Sequence, residues 1–359
     1  GNDTIFGANG ADIINSGTGD DIVDGGLGDD TLDGDTGNDT LSYLSANSSV
    51  MVNLASKNAI GGGGNDSITS FENIIGPSFA SSLVGDSSAN SIIGGAGADT
   101  IDGGLGSDSL SGGGGIDTIT YRSGTLAVTV DLVQSSASYS TGDDILSGFS
   151  NIIGSSGSDS IIGDDNDNII DGGSDGQDTL IGGNGNNTLT YASSSAAVTI
   201  DLSASTTGSS AGNDVLSGFA NVIGSSDADE IKGDASNNNI SGGLGNDTIQ
   251  GYAGNDTLVG GGGTNTITYA DASSSVTINL SASSAVSSSE GIDSLSDFAN
   301  IIGSIYSDSI LGDSANNSIS AGSGADTITG GLGSNTIDGE AGIDVITYEN
   351  MTSAITVNL

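Results

Sequence analysis

A nine-residue period runs through most of this chain and constrains its fold more than any other feature. Gly25-Gly26-Leu27-Gly28-Asp29-Asp30-Thr31-Leu32-Asp33 runs directly into Gly34-Asp35-Thr36-Gly37-Asn38-Asp39-Thr40-Leu41-Ser42. Carried backward, the same frame places Asp21, Asp12 and Asp3 at the sixth position and Val23, Ile14 and Ile5 at the eighth. A unit this short cannot bury a hydrophobic face alone, so its copies must stack to share one core.

Each part of the nonapeptide has a physical role. Glycines at the first, second and fourth positions are expected to supply positive φ and to let backbone carbonyls approach an ion closely. The last three residues, such as Thr31-Leu32-Asp33, form a minimal strand with one aliphatic side chain inward and its neighbours outward. One inward residue in nine fills only a thin core, in keeping with a chain that is 34% hydrophobic and 4% aromatic. Disordered acidic low-complexity sequence is the competing reading, but it would not keep an aliphatic residue two places after each Asp.

The charge balance narrows the chemistry. Acidic residues number 46 against Lys57, Arg122 and Lys232, for a net charge of −43, and all but Glu72, Glu230, Glu290, Glu340 and Glu349 are Asp. So many short carboxylates need a counter-ion before the chain can compact. His, Cys and Trp are absent, which removes Ser-His-Asp and Cys-His nucleophile systems, thiolate redox centres, disulfides and ordinary zinc sites. Any metal must be hard and bound through oxygen. Three cations cannot neutralise a run of phosphates, so nucleic acid and anionic membrane are excluded as partners. No apolar run has the length of a membrane helix, and the start, Gly1-Asn2-Asp3-Thr4-Ile5-Phe6, is no signal peptide. That start falls in mid-repeat, so the chain reads as a soluble segment of a longer protein.

The nonapeptide resembles the GGxGxDxUx repeat of the RTX (repeats-in-toxin) family, over most of the chain. The resemblance implies an all-β fold, a parallel β-roll or right-handed β-solenoid with two nonapeptides per coil. Calcium would lie between glycine-rich turns of successive coils, held by turn carbonyls and the sixth-position Asp, an oxygen-only shell that suits this ion. The candidate calcium ligands are Asp3, Asp12, Asp21, Asp30, Asp39, Asp66, Asp99, Asp108, Asp117, Asp159, Asp178, Asp229, Asp247, Asp256, Asp308, Asp326 and Asp344. Two repeats per coil make eight stacked pairs: Asp3/Asp21, Asp12/Asp30, Asp21/Asp39, Asp99/Asp117, Asp159/Asp178, Asp229/Asp247, Asp308/Asp326 and Asp326/Asp344.

A longer period of about 78 residues overlies the first. It is marked by Tyr43, Tyr121, Tyr191, Tyr269 and Tyr348, each followed by an alternating strand that ends at Leu54, Leu132, Leu202, Leu280 or Leu359. Ser-rich stretches follow (134–141, 203–211 and 281–289) and read as exposed loops. Phe71, Phe149, Phe219 and Phe298 then open Phe-x-Asn-[Ile/Val]-Ile-Gly segments. Tyr and Phe are expected to plug the core at these spacers. The chain therefore divides into a nonapeptide block 1–42, modules 43–120, 121–190, 191–268 and 269–347, and the start of another at 348–359. Module 121–190 is one repeat short. As one repeat is half a coil, one class of module should place successive spacer loops on opposite sides and the other on the same side.

Asparagine replaces Asp at the sixth position at Asn90, Asn168, Asn238 and Asn317, and again at Asn335. Two roles are open to it: a hydrogen-bonded amide ladder, or weaker ligation through its carbonyl oxygen. Arg122 and Lys232 stand where the other modules carry unrelated residues and read as surface variation, so no catalytic residue is assigned and the segment is read as no enzyme. The expected function is a calcium-dependent structural repeat region of a secreted bacterial surface protein: a surface layer, adhesin stalk or extracellular fibre. Its partners would be calcium and either other copies of itself or cell-surface polysaccharide. The alternative is the calcium-binding tail of a secreted enzyme whose catalytic domain lies elsewhere. The family resemblance also implies type I secretion, with folding outside the cell.

Overall fold

A computed structural model describes residues 1–209 and 212–348. The strand expected to end at Leu359 lies outside the described residues, as does most of the segment 348–359. The fold is all-β, a parallel β-roll built in two compact units, Gly1–Asn187 and Thr188–Leu359.

In both units the nonapeptide gives a three-residue strand, and each strand pairs in parallel with the strand two repeats on. In the first unit Ile13–Asn15 pairs with Thr31–Asp33, and Ser82–Val84 with Thr100–Asp102. In the second, Glu230–Lys232 pairs with Thr248–Gln250, and Ser309–Leu311 with Thr327–Thr329. Alternate repeats thus form two facing sheets, and the eighth-position residue of each points between them. Val23, Leu32, Leu41, Leu83 and Ile101 in one unit, and Ile231, Ile240, Ile249 and Leu258 in the other, are fully buried. Each such side chain contributes about 1.5–3 kcal/mol.

The glycines divide their work differently from the expectation. Gly26 and Gly28 have φ of 94° and 130°, and Gly104 and Gly106 have 87° and 123°, so the second and fourth positions need the left-handed region. The first-position glycines Gly25 and Gly103 do not. They are required for space: a Cβ at Gly25 would lie 2.4 Å from Oδ2 of Asp30, and at Gly103 2.3 Å from Oδ2 of Asp108.

The Ser-rich stretches are not loops. Each supplies the middle strand of a three-stranded antiparallel insertion. In the first unit Val50–Asn53, Asn58–Gly61 and Gly64–Thr69 make one such hairpin, and Thr129–Asp131, Ser136–Tyr139 and Gly142–Ser147 the next. In the second unit the sets are Val198–Asp201, Thr206–Ser209, Val215–Ser217 and Val276–Asn279, Ser284–Ser287, Gly291–Ser296. The middle strands bury a small residue (Ala59, Ala137, Thr207 and Ala285) between outward neighbours that include the apolar Ile60 and Val286 as well as polar residues, which hides their alternation from a hydropathy pattern.

Each hairpin turns at an Asx motif. Asn53, Asp131, Asp201 and Asn279 accept hydrogen bonds from backbone N–H groups three residues on. A left-handed residue follows at Lys57, Ser135, Ser205 or Ser283.

The chain overshoots and returns. In the first insertion, the third strand joins the preceding coil at Thr31–Asp33 while the first joins the following coil at Ser82–Val84. On the facing sheet Thr40–Ser42 pairs directly with Asn73–Ile75, so one sheet gains two strands and the other none. Within the first unit the two insertions fall on opposite sheets, and within the second unit the same holds. The five-repeat modules 43–120 and 191–268 are thus the class that alternates. The expected Tyr and Phe plugs are in place: Tyr43, Tyr121, Tyr191, Tyr269, Phe71, Phe149, Phe219 and Phe298 are all buried.

Candidate metal centre

Stacking at intervals of two repeats brings the sixth-position side chains into columns. The backbone N–H of each donates to the Oδ1 of the residue one coil on: Asp3 to Asp21 at 2.7 Å, Asp12 to Asp30 and Asp21 to Asp39 at 2.8 Å, Asp99 to Asp117 at 2.7 Å. Asp159 to Asp178 is 2.8 Å, Asp229 to Asp247 2.9 Å, Asp308 to Asp326 2.8 Å and Asp326 to Asp344 3.0 Å. All eight stacked pairs expected from the sequence are brought together. Asp3 is exposed and Asp12 and Asp344 are half-buried; the other candidates are buried.

Beyond the first turns at Asp3 and Asp12, one oxygen of each stacked carboxylate is therefore committed, and the fate of the other sorts the turns into kinds. The Oδ2 atoms of Asp12, Asp21, Asp30, Asp39, Asp99, Asp108, Asp117, Asp247, Asp256 and Asp326 are buried without a hydrogen-bond partner. An unpaired buried oxygen of a charged group costs more than the 1–3 kcal/mol of a neutral one. Around these atoms the first-position glycines hold the backbone close: a Cβ at Gly242 or Gly251 would come within 2.4 Å or 2.3 Å of Oδ2 of Asp247 or Asp256. Only a cation or a proton relieves an oxygen so placed.

Burial, aided by neighbouring carboxylates, drives several of these groups toward the proton. It raises Asp30, Asp39, Asp99, Asp247 and Asp326 above the ordinary carboxylate range. It pushes Asp108, which faces Asp144, and Asp256, which faces Asp293, to about 7. A hard divalent cation fits this donor set. Among the described residues no three or more acidic side chains converge on one point, so backbone carbonyls of the glycine turns must complete any coordination shell. When bound, calcium would neutralise the columns and tie one turn to the next.

A second kind of turn ends a column at each hairpin. The hydroxyl of Tyr43 donates to Oδ2 of Asp66 at 2.8 Å, that of Tyr121 to Asp144 at 2.9 Å, that of Tyr269 to Asp293 at 2.7 Å, and Tyr191 makes the same bond to Asp214. Burial raises the hydroxyls of Tyr43, Tyr121 and Tyr269 far above their ordinary range, which keeps them donors. Asp144, Asp214 and Asp293 carry no nonapeptide signature and are absent from the candidates read in the sequence, although Asp66 is their counterpart. Asp108 donates to Asp144 across 36 positions and Asp256 to Asp293 across 37, because the hairpin intervenes.

Replacing Tyr121 by Phe should therefore deprive Oδ2 of Asp144 of its donor, at a cost of at least about 1–3 kcal/mol while the carboxyl is ionised. Denaturant unfolding at saturating calcium should show that loss, and more calcium should not restore it. Unchanged stability would show that the hydroxyl bond contributes nothing.

A third kind satisfies itself. In the first turn after a hairpin, Ser155, Ser225 and Ser304 each donate a backbone N–H to Oδ2 and a hydroxyl to Oδ1 of Asp159, Asp229 and Asp308, at 2.6–2.9 Å. In the next turn, Oδ1 of Asn90, Asn168, Asn238 and Asn317 accepts a backbone N–H from Asp86, Asp164, Asp234 and Asp313. Their Nδ2 atoms donate to carbonyls of Glu72, Ser150, Ala220 and Ala299. The amide-to-amide ladder is not what forms. Asn317 meets Asn335 through backbone N–H to Oδ1 at 2.9 Å, and both amide nitrogens turn onto main-chain carbonyls.

The basic residues lie apart from the columns, with Arg122 on Asp171 at 2.9 Å and Lys232 on Glu230 at 3.1 Å. No curated protein matches the chain. The RTX calcium-binding nonapeptide repeat (4 copies) matches residues 1–23, 6–41, 84–119, 147–176, 173–190, 221–249, 232–267 and 301–346. The hairpin strands lie largely between these matches, and the carboxylate columns lie within them except for their hairpin ends Asp66, Asp144, Asp214 and Asp293. With more than half of its length matched and its turns built in this way, the chain is a calcium-binding repeat region that belongs to the RTX nonapeptide-repeat family.

Proposed function

We propose that this chain is a calcium-dependent structural region of a secreted bacterial surface protein, a surface layer, adhesin stalk or extracellular fibre, and that it has no catalytic role. The observation that carries the reading is the set of buried, unpartnered carboxylate oxygens recurring in both units, which makes the folded state a product of the ion. A fold that needs calcium suits a chain that crosses a calcium-poor cytoplasm unfolded and folds outside. The modules 43–120, 121–190, 191–268 and 269–347 are its construction units, and the seventeen sixth-position Asp residues are its candidate ligands. Repetition of one hairpin on alternating sheets supports a scaffold rather than a single active centre.

The partner we favour is another copy of the chain. Each unit exposes apolar cross-strand pairs on its insertions, Met51 beside Ile60 and Val286 beside Ile292, contacts that a charged polysaccharide would not need. Antibody labelling of the producing cells tests the reading. Label is expected on the cell exterior and should be released by a calcium chelator. Label confined to the cytoplasm would refute it, and label found only in the medium on a catalytic polypeptide would favour the enzyme-tail alternative.

A further inference from the structure

Three turns have every glycine the repeat asks for and still carry Asn at the sixth position: Gly182 to Asn187, Gly260 to Asn265 and Gly330 to Asn335. In each, the amide nitrogen faces the carbonyls of its own turn. Nδ2 of Asn187 donates to Asn184 at 2.8 Å and lies 3.4 Å from the carbonyl of Gly183. Nδ2 of Asn265 lies 3.3 Å from the carbonyl of Gly261 and 3.0 Å from that of Asp297. Nδ2 of Asn335 lies 3.0 Å from the carbonyl of Leu332. In the carboxylate turns this side of the residue is an oxygen that nothing reaches.

We propose that donors of the chain stand in for the cation at a fixed subset of turns, so that calcium loads short segments separated by joints that need none. The inference rests on the calcium reading above. An amide NH2 offers the turn carbonyls the positive end of a dipole where a cation would offer a charge. The Ser turns after the last three hairpins and the Tyr hydroxyl at each hairpin extend the same logic to the carboxylates themselves.

The columns of the second unit show the result. One column reads Asp229, satisfied by Ser225, then unpartnered Asp247, then Asn265, which accepts the N–H of Asp247 at 2.9 Å. The facing column reads Asn238, then unpartnered Asp256, then Asp293 under Tyr269. In these two columns each ion-requiring carboxylate is isolated between protein-satisfied turns, whereas in the column Asp308, Asp326, Asp344 only the Asp308 side is satisfied by the chain. In the first block of the first unit, by contrast, Asp12 with Asp30 and Asp21 with Asp39 form unbroken runs. The number of ions is thus set by the unpartnered carboxylates and not by the repeats.

The test is the calcium content of the full chain, measured by inductively coupled plasma mass spectrometry after equilibration at a defined free calcium concentration. Asn265→Asp should bind one more ion per chain than the parent, and Asp247→Asn one fewer. Asn187→Asp repeats the gain in the other unit, so that misfolding of one variant, visible by circular dichroism, does not decide the matter. If both Asn→Asp variants fold with the parent's count while Asp247→Asn loses an ion, the Asn turns gain no ion by acquiring a carboxylate and the proposal fails. If Asp247→Asn loses no ion, the calcium reading of the carboxylate turns fails with it.

Discussion

In excess chelator at neutral pH, the chain is expected to give the circular dichroism of a coil, and millimolar calcium is expected to restore the β signal. Each repeat buries one aliphatic side chain such as Leu32 or Ile249, worth about 1.5–3 kcal/mol. The same repeat in a carboxylate turn buries an ionised oxygen without a donor, and that penalty is as large or larger. The core therefore cannot carry the fold while the columns are charged, and a net charge of −43 adds repulsion along the whole chain. Calcium relieves the first term and reduces the second. Magnesium should substitute poorly, since it demands near-ideal octahedral geometry and dehydrates reluctantly, whereas calcium accepts the irregular carbonyl shell of a turn. A native β signal that persists without any divalent ion would show that the thin core and the hydrogen-bonded joints suffice.

Those joints bear on how the fold assembles. A Tyr donor sits at each hairpin and a Ser donor after the last three, where the two sheets are out of step by two strands. There the chain satisfies the carboxylates of Asp66, Asp144, Asp214 and Asp293 itself, while Asp39 and Asp117 on the facing sheet keep an unpartnered oxygen. The parallel stacking resumes on the far side, at Val128 and Asp159 in one unit and at Val276 and Asp308 in the other.

The regular part of this architecture is legible in the sequence because its spacing is rigid. A sixth-position Asp and an eighth-position aliphatic residue at every ninth position leave one parallel register, and the eight stacked pairs follow from counting. The hairpins were harder. Their middle strands are Ser-rich with a single small inward residue, so Ser136–Tyr139 and Ser284–Ser287 read as loops when burial is judged by hydropathy. The usable signal was local: Asn53, Asp131, Asp201 and Asn279 each close a strand and cap the following turn. Asp144 and Asp293 were hidden for a related reason. The insertion stretches the column spacing from 18 to 36 or 37 positions, and no nonapeptide surrounds either residue. The role of the first-position glycines was equally unreadable, because only the position of the Asp carboxylate shows that space, and not backbone sign, is what they provide.

Acid should partly replace calcium. In the ion-free folded state, burial raises the buried carboxyls above their unfolded value, to about 7 at Asp108 and Asp256 and about 6 at Asp293. A carboxyl whose folded value is raised binds its proton more tightly when folded, so its penalty is fully present above the folded value. The penalty is relieved as pH falls toward the unfolded value of about 4. In chelator, β structure is therefore expected to return as the pH is lowered from about 7 to about 5. The recovery has a lower limit. The N–H of Asp35 holds the Asp33 carboxyl below the ordinary range, and the stability from such groups is lost as the pH falls through their depressed folded values. Because the proton already relieves part of the penalty, the calcium concentration at half-folding should fall as the pH falls through that window. Circular dichroism of a dilute sample, titrated in chelator and then at fixed free calcium, checks both trends. A chelated chain that stays a coil at pH 5 would mean that removing charge from the columns is insufficient, and that the ion's bridging of successive turns is what the fold requires.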